Sequence, residues 1–237
     1  MELPPPLAEL ASRPGDAAIL LDIDGTLAPI VDDPTQSSVP EETRAVLRDL
    51  LGRYALVACL TGRPQEVARR IVGMDELPII GEHGLELSPE AEQWVPVLAR
   101  FAADERWPAE AKRLTVAFHY RTAEDEDEAM HVLSAIAEDA ERDGLVARWG
   151  RKVLEVRPPI DAHKGTGVVH LLEGQGLRRA MFAGDDLTDL DGFGAMEQLD
   201  HGVKVAVSSP EGPAELRERA DVVVADPAEL RELLRLL

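Results

Sequence analysis

Two aspartates follow an apolar run near the start of the chain. The segment reads Ala-Ile-Leu-Leu-Asp-Ile-Asp-Gly-Thr-Leu over residues 18–27, and it places Asp22 and Asp24 where a buried strand is expected to end. Side chains two residues apart on a strand project in similar directions. Carboxylates this close raise each other's pKa unless a cation or a hydrogen-bond donor lies nearby. The spacing indicates a metal site, covalent chemistry on a carboxylate, or both, and the alternative is an ordinary Asp-Gly turn.

A second acidic segment follows another apolar run. Gly-Asp-Asp-Leu-Thr-Asp occupies residues 184–189, directly after the run at 180–183, and supplies Asp185, Asp186 and Asp189. Hard cations such as Mg²⁺ bind carboxylate oxygens together with water and substrate phosphate. Aspartates also cap helices, and taken alone this segment fits a capped helix start equally well. Because the chain carries two acidic strand ends, we favour a metal site.

Two other segments carry groups suited to holding a phosphate. Thr61, Gly62 and Arg63 follow the apolar run at 55–60, and a hydroxyl with backbone N–H groups at a helix start can cradle an anion. Lys164 precedes a helical pattern, and an ammonium can bridge a carboxylate and a phosphate. Each segment alone is better explained as an ordinary helix start or an exposed lysine, so its interpretation depends on the acidic segments.

Short apolar runs alternate with helical patterns in both end regions of the chain. Near-continuous apolar strands separated by helices are typical of a parallel sheet that is covered on both faces. Ligands of such sheets bind at the carboxyl ends of the strands, which would bring Asp22, Thr61 and Asp185 to one edge. The predicted strands are residues 17–23, 55–60, 78–80, 180–183, 204–207 and 221–224, and the predicted helices are 41–52, 64–72, 165–173, 188–196, 212–219 and 227–236.

The middle of the chain breaks this alternation. We predict short strands at residues 94–97, 114–120, 145–149 and 152–156, with helices at 98–105 and 123–142. Strands grouped with two helices indicate a small α+β unit with an antiparallel sheet. We therefore expect an α/β core domain formed by residues 1–84 and 161–237, with an α+β domain inserted at residues 85–160.

Composition narrows the classes of function. The 237 residues carry a formal net charge of −20, which argues against a nucleic-acid or anionic-membrane partner because no basic stripe is present. No apolar run approaches the roughly 20 residues that span a bilayer. The single cysteine, Cys59, lies inside an apolar run and allows no intrachain disulfide, which fits a cytoplasmic setting and disfavours a cysteine phosphatase. We expect a cytoplasmic monomer that acts on a small molecule.

In their order along the chain, the four segments resemble the motifs of the haloacid dehalogenase-like phosphohydrolases. The matching positions are Asp22-x-Asp24-Gly-Thr, Thr61, Lys164 and Gly-Asp185-Asp-x-x-Asp189. The insert between the second and third motifs resembles the type 2 cap of that superfamily. The resemblance implies a Rossmann-like core with a parallel sheet and an inserted α+β cap domain.

A narrower resemblance, to the trehalose-6-phosphate phosphatase family, covers nearly the whole chain. It rests on residues 21–29, 81–86, 110–112, 119–121, 155–158, 164–165 and 184–189. One position departs from the family pattern, because Leu190 follows the last motif where the family usually has Glu. We expect metal binding to survive the loss of this one supporting contact. The resemblance implies Mg²⁺-dependent hydrolysis of trehalose 6-phosphate to trehalose and phosphate.

The same resemblance gives each candidate residue a role. Asp22 would be the nucleophile that forms an aspartyl-phosphate, and Asp24 would protonate the leaving sugar oxygen and then activate water. Mg²⁺ would be held by Asp22, the backbone carbonyl of Asp24, and Asp185. The supporting residues would be Asp186 and Asp189 at the metal, and Thr61, Gly62 and Lys164 at the phosphate.

The inserted domain would supply most of the specificity for the sugar. Alternation along a strand puts His119 and Arg121 on the face opposite Phe118 and Tyr120, and polar groups on one face of a small sheet can receive sugar hydroxyls. The alternative is a solvent-exposed sheet face without a ligand. The expected sugar contacts are Arg63, Glu82, His83, Lys112, His119, Arg121 and Glu155.

Three other functions stay open on the sequence alone. One is another sugar-phosphate phosphatase of the same superfamily, of the sucrose-phosphate or glycosyl-phosphoglycerate type, which a substrate panel would separate. A second is a phosphomutase, which would return the phosphate to a sugar and release none. The third is a catalytically silent sugar-phosphate-binding module, which the intact Asp22, Asp24, Lys164 and Asp185 disfavour.

Overall fold

The computed structural model describes residues 2–31, 33–104, 106–150, 152–209 and 212–237. These residues form two compact units, of which the first consists of Met1–Gly84 with Ala162–Leu237 and the second of Leu85–Asp161. In the described ranges, no helix combines the length and the apolar composition that crossing a lipid bilayer requires.

The secondary structure is numbered along the chain. The strands are β1 (Ala18–Leu21), β2 (Leu56–Leu60), β3 (Ile79–Ile80), β4 (Glu110–Ala111), β5 (Val116–His119), β6 (Val146–Gly150), β7 (Val153–Arg157), β8 (Arg179–Gly184), β9 (His201–Val207) and β10 (Val222–Val224). The helices are α1 (Pro5–Ala11), α2 (Glu41–Leu51), α3 (Gln65–Val72), α4 (Val95–Ala102), α5 (Glu126–Arg142), α6 (Lys164–Glu173), α7 (Leu190–Met196), α8 (Ala214–Arg219) and α9 (Pro227–Leu236).

The first unit contains a parallel sheet, in which the described residues form six strands in the order β10-β9-β8-β1-β2-β3. The chain adds β2 and β3 on one side of β1 and later returns to place β8, β9 and β10 on the other side. The strand order therefore changes direction between β1 and β8, which makes this pair the topological switch point of the sheet. Ligands of open α/β sheets bind at such a reversal, just beyond the carboxyl ends of the strands.

Both faces of this sheet are buried, which explains why its strands are apolar throughout. Ile19 and Leu21 pack on one side in a cluster with apolar residues of α1, α2, α3 and α9. Leu20 packs on the other side with residues of α6, α7 and α8. Full burial of a large aliphatic side chain contributes about 1.5–3 kcal/mol to folding stability. A continuous apolar run in the central strand therefore favours helices packed on both faces of the sheet.

The register of the central strands places polar residues next to one another. Leu21, the last residue of β1, lies opposite Cys59 of β2 and Ala183 of β8. The next residues along these strands lead directly into Asp22, Thr61 and Asp185. The apolar runs thus deliver three of the candidate residues to neighbouring positions at one edge.

The second unit contains an antiparallel sheet of strands in the order β4-β5-β7-β6. One face of this sheet packs on α4 and α5, where Phe118 and Leu154 meet Phe101, Leu133 and Ile136 in one apolar cluster. The opposite face carries polar side chains. The predicted α/β fold class, with a parallel sheet and a separate α+β unit, is confirmed.

One predicted element is wrong, and two elements of the structure have no counterpart among the predictions. The predicted strand at residues 94–97 is wrong, because a 3₁₀ turn ending at Trp94 runs directly into α4, where Pro96 occupies a first-turn position that needs no N–H donor. The helix α1 and the short exposed strand β4 were not predicted, since neither carries a clear apolar pattern. Glu105, the last residue of the predicted helix at 98–105, lies outside the described residues.

Candidate active site

A buried group of charged side chains lies at the carboxyl ends of β1 and β8. The Lys164 ammonium donates to Asp22 Oδ1 at 2.7 Å and to Asp189 Oδ1 at 2.6 Å. The side chains of Lys164, Asp22 and Asp189 are 3%, 7% and 0% exposed. Carboxylate oxygens of Asp22, Asp185 and Asp189 lie within 4.8 Å of one another. We call Asp22, Lys164, Asp185 and Asp189 the buried cluster.

Local backbone structure positions two members of the buried cluster, Asp22 and Asp189. The Asp22 N–H donates to the carbonyl of Ala183 at 2.9 Å, so sheet pairing continues one residue beyond β1. Asp189 lies in a 3₁₀ turn, and its Oδ2 accepts the N–H groups of Asp185 and Asp186 at 2.9 Å each. Both oxygens of Asp189 are therefore occupied by donors of the chain itself. This arrangement suits a supporting residue better than a direct metal ligand.

Lys164 occupies an unfavourable position that its partners compensate. It is the first residue of α6, where the positive end of the helix dipole disfavours a cation. Burial also opposes the charged form, but the carboxylates of Asp189 and Asp22 outweigh both effects and hold the pKa of Lys164 above its ordinary value. The ammonium therefore remains charged beside Asp22.

The turn after β1 positions Asp185. Gly25 has φ +81°, a left-handed conformation that favours glycine, and a Cβ at this position would collide with the carboxylate of Asp185. The hydroxyl of buried Thr26 donates to Asp185 Oδ1 at 3.2 Å. The Gly-Thr pair after the first two aspartates therefore leaves room for Asp185 and orients it.

Two acids of the buried cluster, Asp22 and Asp185, have pKa values well above the ordinary range. Burial raises the pKa of Asp22 to about 7, although Lys164 opposes the shift. Burial, reinforced by repulsion from Asp22 and Asp189, raises the pKa of Asp185 to about 9. A cation bound between these carboxylates would relieve both the burial cost and the repulsion, because it favours their charged forms. The donor set fits a hard divalent ion.

Asp24 lies apart from the buried cluster and has different partners. Arg63 donates from Nε to Asp24 Oδ2 at 2.6 Å and from Nη2 to Oδ1 at 2.7 Å. The hydroxyl of Ser37 donates to the same Oδ1 at 2.9 Å. The Asp24 carboxylate therefore accepts three hydrogen bonds from two side chains.

The predicted phosphate loop is tied to the segment after β3. The N–H of His83 donates to the Thr61 carbonyl and that of Glu82 to the Arg63 carbonyl, each at 2.9 Å. Glu82 and His83 have φ values of 44° and 55°, in the left-handed region that non-glycine residues rarely adopt. A Cβ on Gly62 would collide with the imidazole of His83. Backbone strain of this kind is concentrated at functional sites.

In the second unit, polar side chains lie on the sheet face away from the helices. Glu155 is paired across the sheet with Ala117, and its carboxylate lies 3.8 Å from the Lys112 ammonium. His119 Nε2 lies 2.7 Å from Glu110 Oε2. Arg121 follows β5 and is exposed. The structure thus brings Lys112 and Glu155 together and places His119 on the same face.

The structure groups the predicted residues of the first unit in two sets. Asp22, Lys164, Asp185 and Asp189 meet in the buried cluster, whereas the side chain of Asp24 pairs with Arg63. Asp186 is exposed. Leu190 is partly buried and packs against the apolar cluster that contains Phe182 of β8 and Phe193 of α7.

Sequence reasoning missed two residues of this site, Thr26 and Ser37. Thr26 gave a signal through its place in the first motif, but its partner Asp185 is 159 residues away. Ser37 gave none, because nothing in its surroundings marks a serine that bonds an aspartate 13 residues earlier.

Comparison with known sequences identifies the family. A family model described as trehalose-phosphatase matches residues 20–107 and 105–226. A probable trehalose-phosphate phosphatase of Arabidopsis thaliana is 30% identical over 262 residues, covering 93% of this chain and 68% of the relative. A trehalose-phosphate phosphatase of Mycobacterium avium is 34% identical over 201 residues, covering 76% of this chain and 51% of the relative. The chain thus matches about half the length of that mycobacterial protein.

Solved structures agree on the fold. The C-terminal domain of the trehalose-6-phosphate phosphatase of C. albicans superposes with a TM-score of 0.77 at 21% identity, covering 99% of this chain and 98% of that one. A haloacid dehalogenase-like hydrolase from Bacteroides thetaiotaomicron gives 0.65 at 16% identity, covering 92% and 98%. The resemblance predicted from the motifs is confirmed, and the chain belongs to the trehalose-phosphatase family, with a haloacid dehalogenase-like fold.

Proposed function

We propose that this protein is a Mg²⁺-dependent phosphatase that hydrolyses trehalose 6-phosphate to trehalose and phosphate. The observation that carries the proposal is the buried cluster, in which Lys164 joins Asp22 to Asp189 beside Asp185 at the carboxyl ends of the central strands. Membership of the trehalose-phosphatase family supports the choice of substrate.

The carboxylates of the buried cluster fit Mg²⁺. Asp22 and Asp185, with the backbone carbonyl of Asp24, would hold the ion, because the oxygens of Asp189 are occupied by Lys164 and by backbone N–H groups. Mg²⁺ prefers oxygen ligands and usually keeps several waters alongside one or two carboxylates. When bound, the ion would neutralise negative charge on the phosphate oxygens.

Asp22 would act as the nucleophile. One of its carboxylate oxygens forms a bond to phosphorus while the bond between phosphorus and the sugar oxygen breaks, which leaves an aspartyl-phosphate. Asp24 protonates the departing sugar oxygen. In the second step Asp24 takes a proton from water as the water oxygen bonds to phosphorus, and Asp22 is released as a carboxylate together with inorganic phosphate.

Three residues would stabilise the phosphoryl group during transfer. Lys164 contacts Asp22 directly, so a phosphoryl group on Asp22 would lie beside an ammonium. Thr61 Oγ1 accepts the Arg63 N–H at 3.2 Å, which leaves the hydroxyl proton to be donated to a phosphate oxygen. The N–H of Gly62 would be the third donor.

Sugar recognition is assigned to polar residues of both units. Lys112, His119 and Glu155 share the polar sheet face of the second unit, where charged donors and acceptors suit sugar hydroxyls. Arg121 extends the same strand. Glu82 and His83 lie beside the predicted phosphate loop in the first unit. The cytoplasmic location and the monomeric state stay predictions from the sequence.

A substrate panel tests this function. Phosphate release is measured from trehalose 6-phosphate, glucose 6-phosphate and sucrose 6-phosphate, with Mg²⁺ and with EDTA, and Asp22→Asn protein serves as the blank for contaminating phosphatases. We expect release from the trehalose ester alone, abolished by EDTA. Release from another ester would reassign the substrate and keep the mechanism. Conversion to an isomeric sugar phosphate without release would indicate a mutase, and binding without turnover would indicate a silent module.

A further inference from the structure

Arg63 and Ser37 enclose the carboxylate of Asp24, and we call these two residues the Asp24 clamp. The guanidinium of Arg63 contacts both carboxylate oxygens, through Nε at 2.6 Å and Nη2 at 2.7 Å. Its third nitrogen, Nη1, donates to the carbonyl of Pro34 at 3.1 Å. All three nitrogens of this guanidinium are thus engaged with the chain itself.

The geometry of the clamp restricts both the position and the rotation of Asp24. Two parallel hydrogen bonds from a planar guanidinium fix the plane of a carboxylate as well as its distance. Ser37 is buried, and its hydroxyl donates a third hydrogen bond to Asp24 Oδ1 at 2.9 Å. The side chains of Arg63 and Asp24 are 21% and 28% exposed, so solvent screens the pair only in part.

A hydrogen-bonded turn lies next to both members of the clamp. Residues Pro34–Gln36 form a 3₁₀ turn in which Asp33 accepts the backbone N–H and the hydroxyl of Thr35 and the amide of Gln36. This turn presents the Pro34 carbonyl to Arg63 and leads into Ser37. The segment after the first motif therefore contacts Asp24 directly through Ser37 and indirectly through Arg63.

We propose that Arg63 and Ser37 are positioning residues that hold Asp24 in one orientation for its proton transfers. This inference rests on the proposed function, in which Asp24 exchanges protons with the sugar oxygen and with water. It differs from the expectation that Arg63 contacts the sugar, because an arginine whose nitrogens are all engaged would have to release Asp24 in order to bind substrate. Misplacement of a reacting group by about 1 Å can lower a rate by about 100-fold.

A double-mutant cycle tests the clamp. Arg63→Met, Arg63→Lys and Ser37→Ala are made in the wild-type chain, and Arg63→Met is also combined with Asp24→Asn. Arg70→Met, on an exposed position of α3, and Ser38→Ala, on an exposed neighbour of Ser37, are the matched controls. For each protein, kcat and KM for phosphate release are measured with Mg²⁺, and thermal unfolding shows whether it is folded.

We expect effects on kcat rather than on KM. Arg63→Met should lower kcat by about 10- to 100-fold with KM changed less than about 2-fold, and Arg63→Lys should restore part of the loss. Ser37→Ala should lower kcat by about 3- to 10-fold, and the controls should match wild type. In the Asp24→Asn background, Arg63→Met should cost less than about 2-fold more, because the group it orients is already gone.

Several results would overturn the proposal. A large rise in KM with kcat preserved would make Arg63 a substrate contact, and a full loss that persists in the Asp24→Asn background would separate it from Asp24. An increase in kcat would mean that the clamp restrains Asp24 rather than prepares it. If the wild-type protein instead hydrolyses another ester of the panel, or p-nitrophenyl phosphate, the cycle is run on that ester. A wild type active on none of them would overturn both the function and the clamp.

Discussion

The buried cluster and the polar sheet face of the second unit both collect charged residues, but they hold them differently. In the buried cluster, Lys164 contacts two carboxylates at 2.6–2.7 Å and all three side chains are at most 7% exposed. On the sheet face, the Lys112 ammonium lies 3.8 Å from Glu155 and these two side chains are 17% and 16% exposed, while the side chain of His119 is 58% exposed. Charges taken out of water require fixed partners, whereas exposed charges tolerate rearrangement.

The two kinds of surroundings suit different steps of a reaction. Bond making benefits from groups that are fixed before the substrate arrives, because no reorganisation is then needed during the reaction. Exposed polar side chains can rearrange when a ligand binds, because no fixed partner holds them in one geometry. We therefore expect substitutions in the buried cluster to lower turnover, and to lower stability where they leave buried charges without their partner. Substitutions on the sheet face should affect substrate binding.

The largest effect is expected for Asp22→Asn. The amide cannot form the bond to phosphorus, so phosphate release should fall by at least about a thousandfold, as for other nucleophile removals. Folding should survive, because the amide removes a buried charge that is costly to ionise. Steady-state rates and thermal unfolding measure both quantities. Asp49→Asn, on an exposed position of α2, should leave both unchanged, and an active Asp22→Asn protein would refute the role of Asp22.

The next largest effect is expected for Lys164→Met. This change leaves Asp22 and Asp189 buried without their cation, which should lower the free energy of unfolding by about 3–5 kcal/mol in EDTA. Lys204→Met is the control, because the Lys204 ammonium lies 3.6 Å from Glu197, the two side chains are 18% and 44% exposed, and pairs that solvent reaches contribute about 0–1 kcal/mol. Urea denaturation compares the two variants. Equal losses would remove the distinction between the buried cluster and surface pairs.

A smaller effect is expected for Lys112→Met on the sheet face. If this ammonium contacts the sugar, KM for trehalose 6-phosphate should rise by about 10-fold while kcat stays near wild type. Turnover of p-nitrophenyl phosphate, which has no sugar, should not change. Arg113→Gln, at a more exposed neighbouring cation, serves as the control. A fall in kcat on both substrates would place Lys112 with the residues of the reaction rather than of recognition.

The smallest effect is expected in the response of stability to Mg²⁺ and pH. The folded-state pKa values of Asp22 and Asp185, about 7 and about 9, lie above their ordinary values. Without metal, stability from these groups is full below their ordinary pKa and is lost as the pH rises through the folded values. Mg²⁺ should therefore raise the unfolding temperature by a few degrees more at about pH 8 than at about pH 5.

Differential scanning calorimetry measures this response. Asp22→Asn is the matched variant, and it should show a smaller dependence of the Mg²⁺ effect on pH because one of the two titrating acids is gone. An Mg²⁺ effect that is the same at both pH values would contradict a metal site between these two carboxylates.

The predictable parts of the molecule are those in which local sequence and burial agree. The run before Asp22 is apolar at every position because β1 is buried on both faces. Asp22 and Asp185 follow the ends of the paired strands β1 and β8, where the buried sheet stops and polar side chains can be accommodated. The predicted strand at residues 94–97 was wrong because a short apolar run fits a strand or a helix equally well. The pairing of Arg63 with Asp24 depends on how two distant loops approach, which no spacing encodes.

A covalent role for Asp22 is tested by following where the phosphoryl group goes. Wild-type protein is mixed with Mg²⁺ and trehalose 6-phosphate labelled in its phosphate, quenched in acid within one turnover, digested and mapped by mass spectrometry. We expect transient label on the peptide that contains Asp22, and none with Asp22→Asn or before substrate is added. Phosphate release at the wild-type rate with no label on Asp22 at any quench time would contradict a covalent role for the buried cluster.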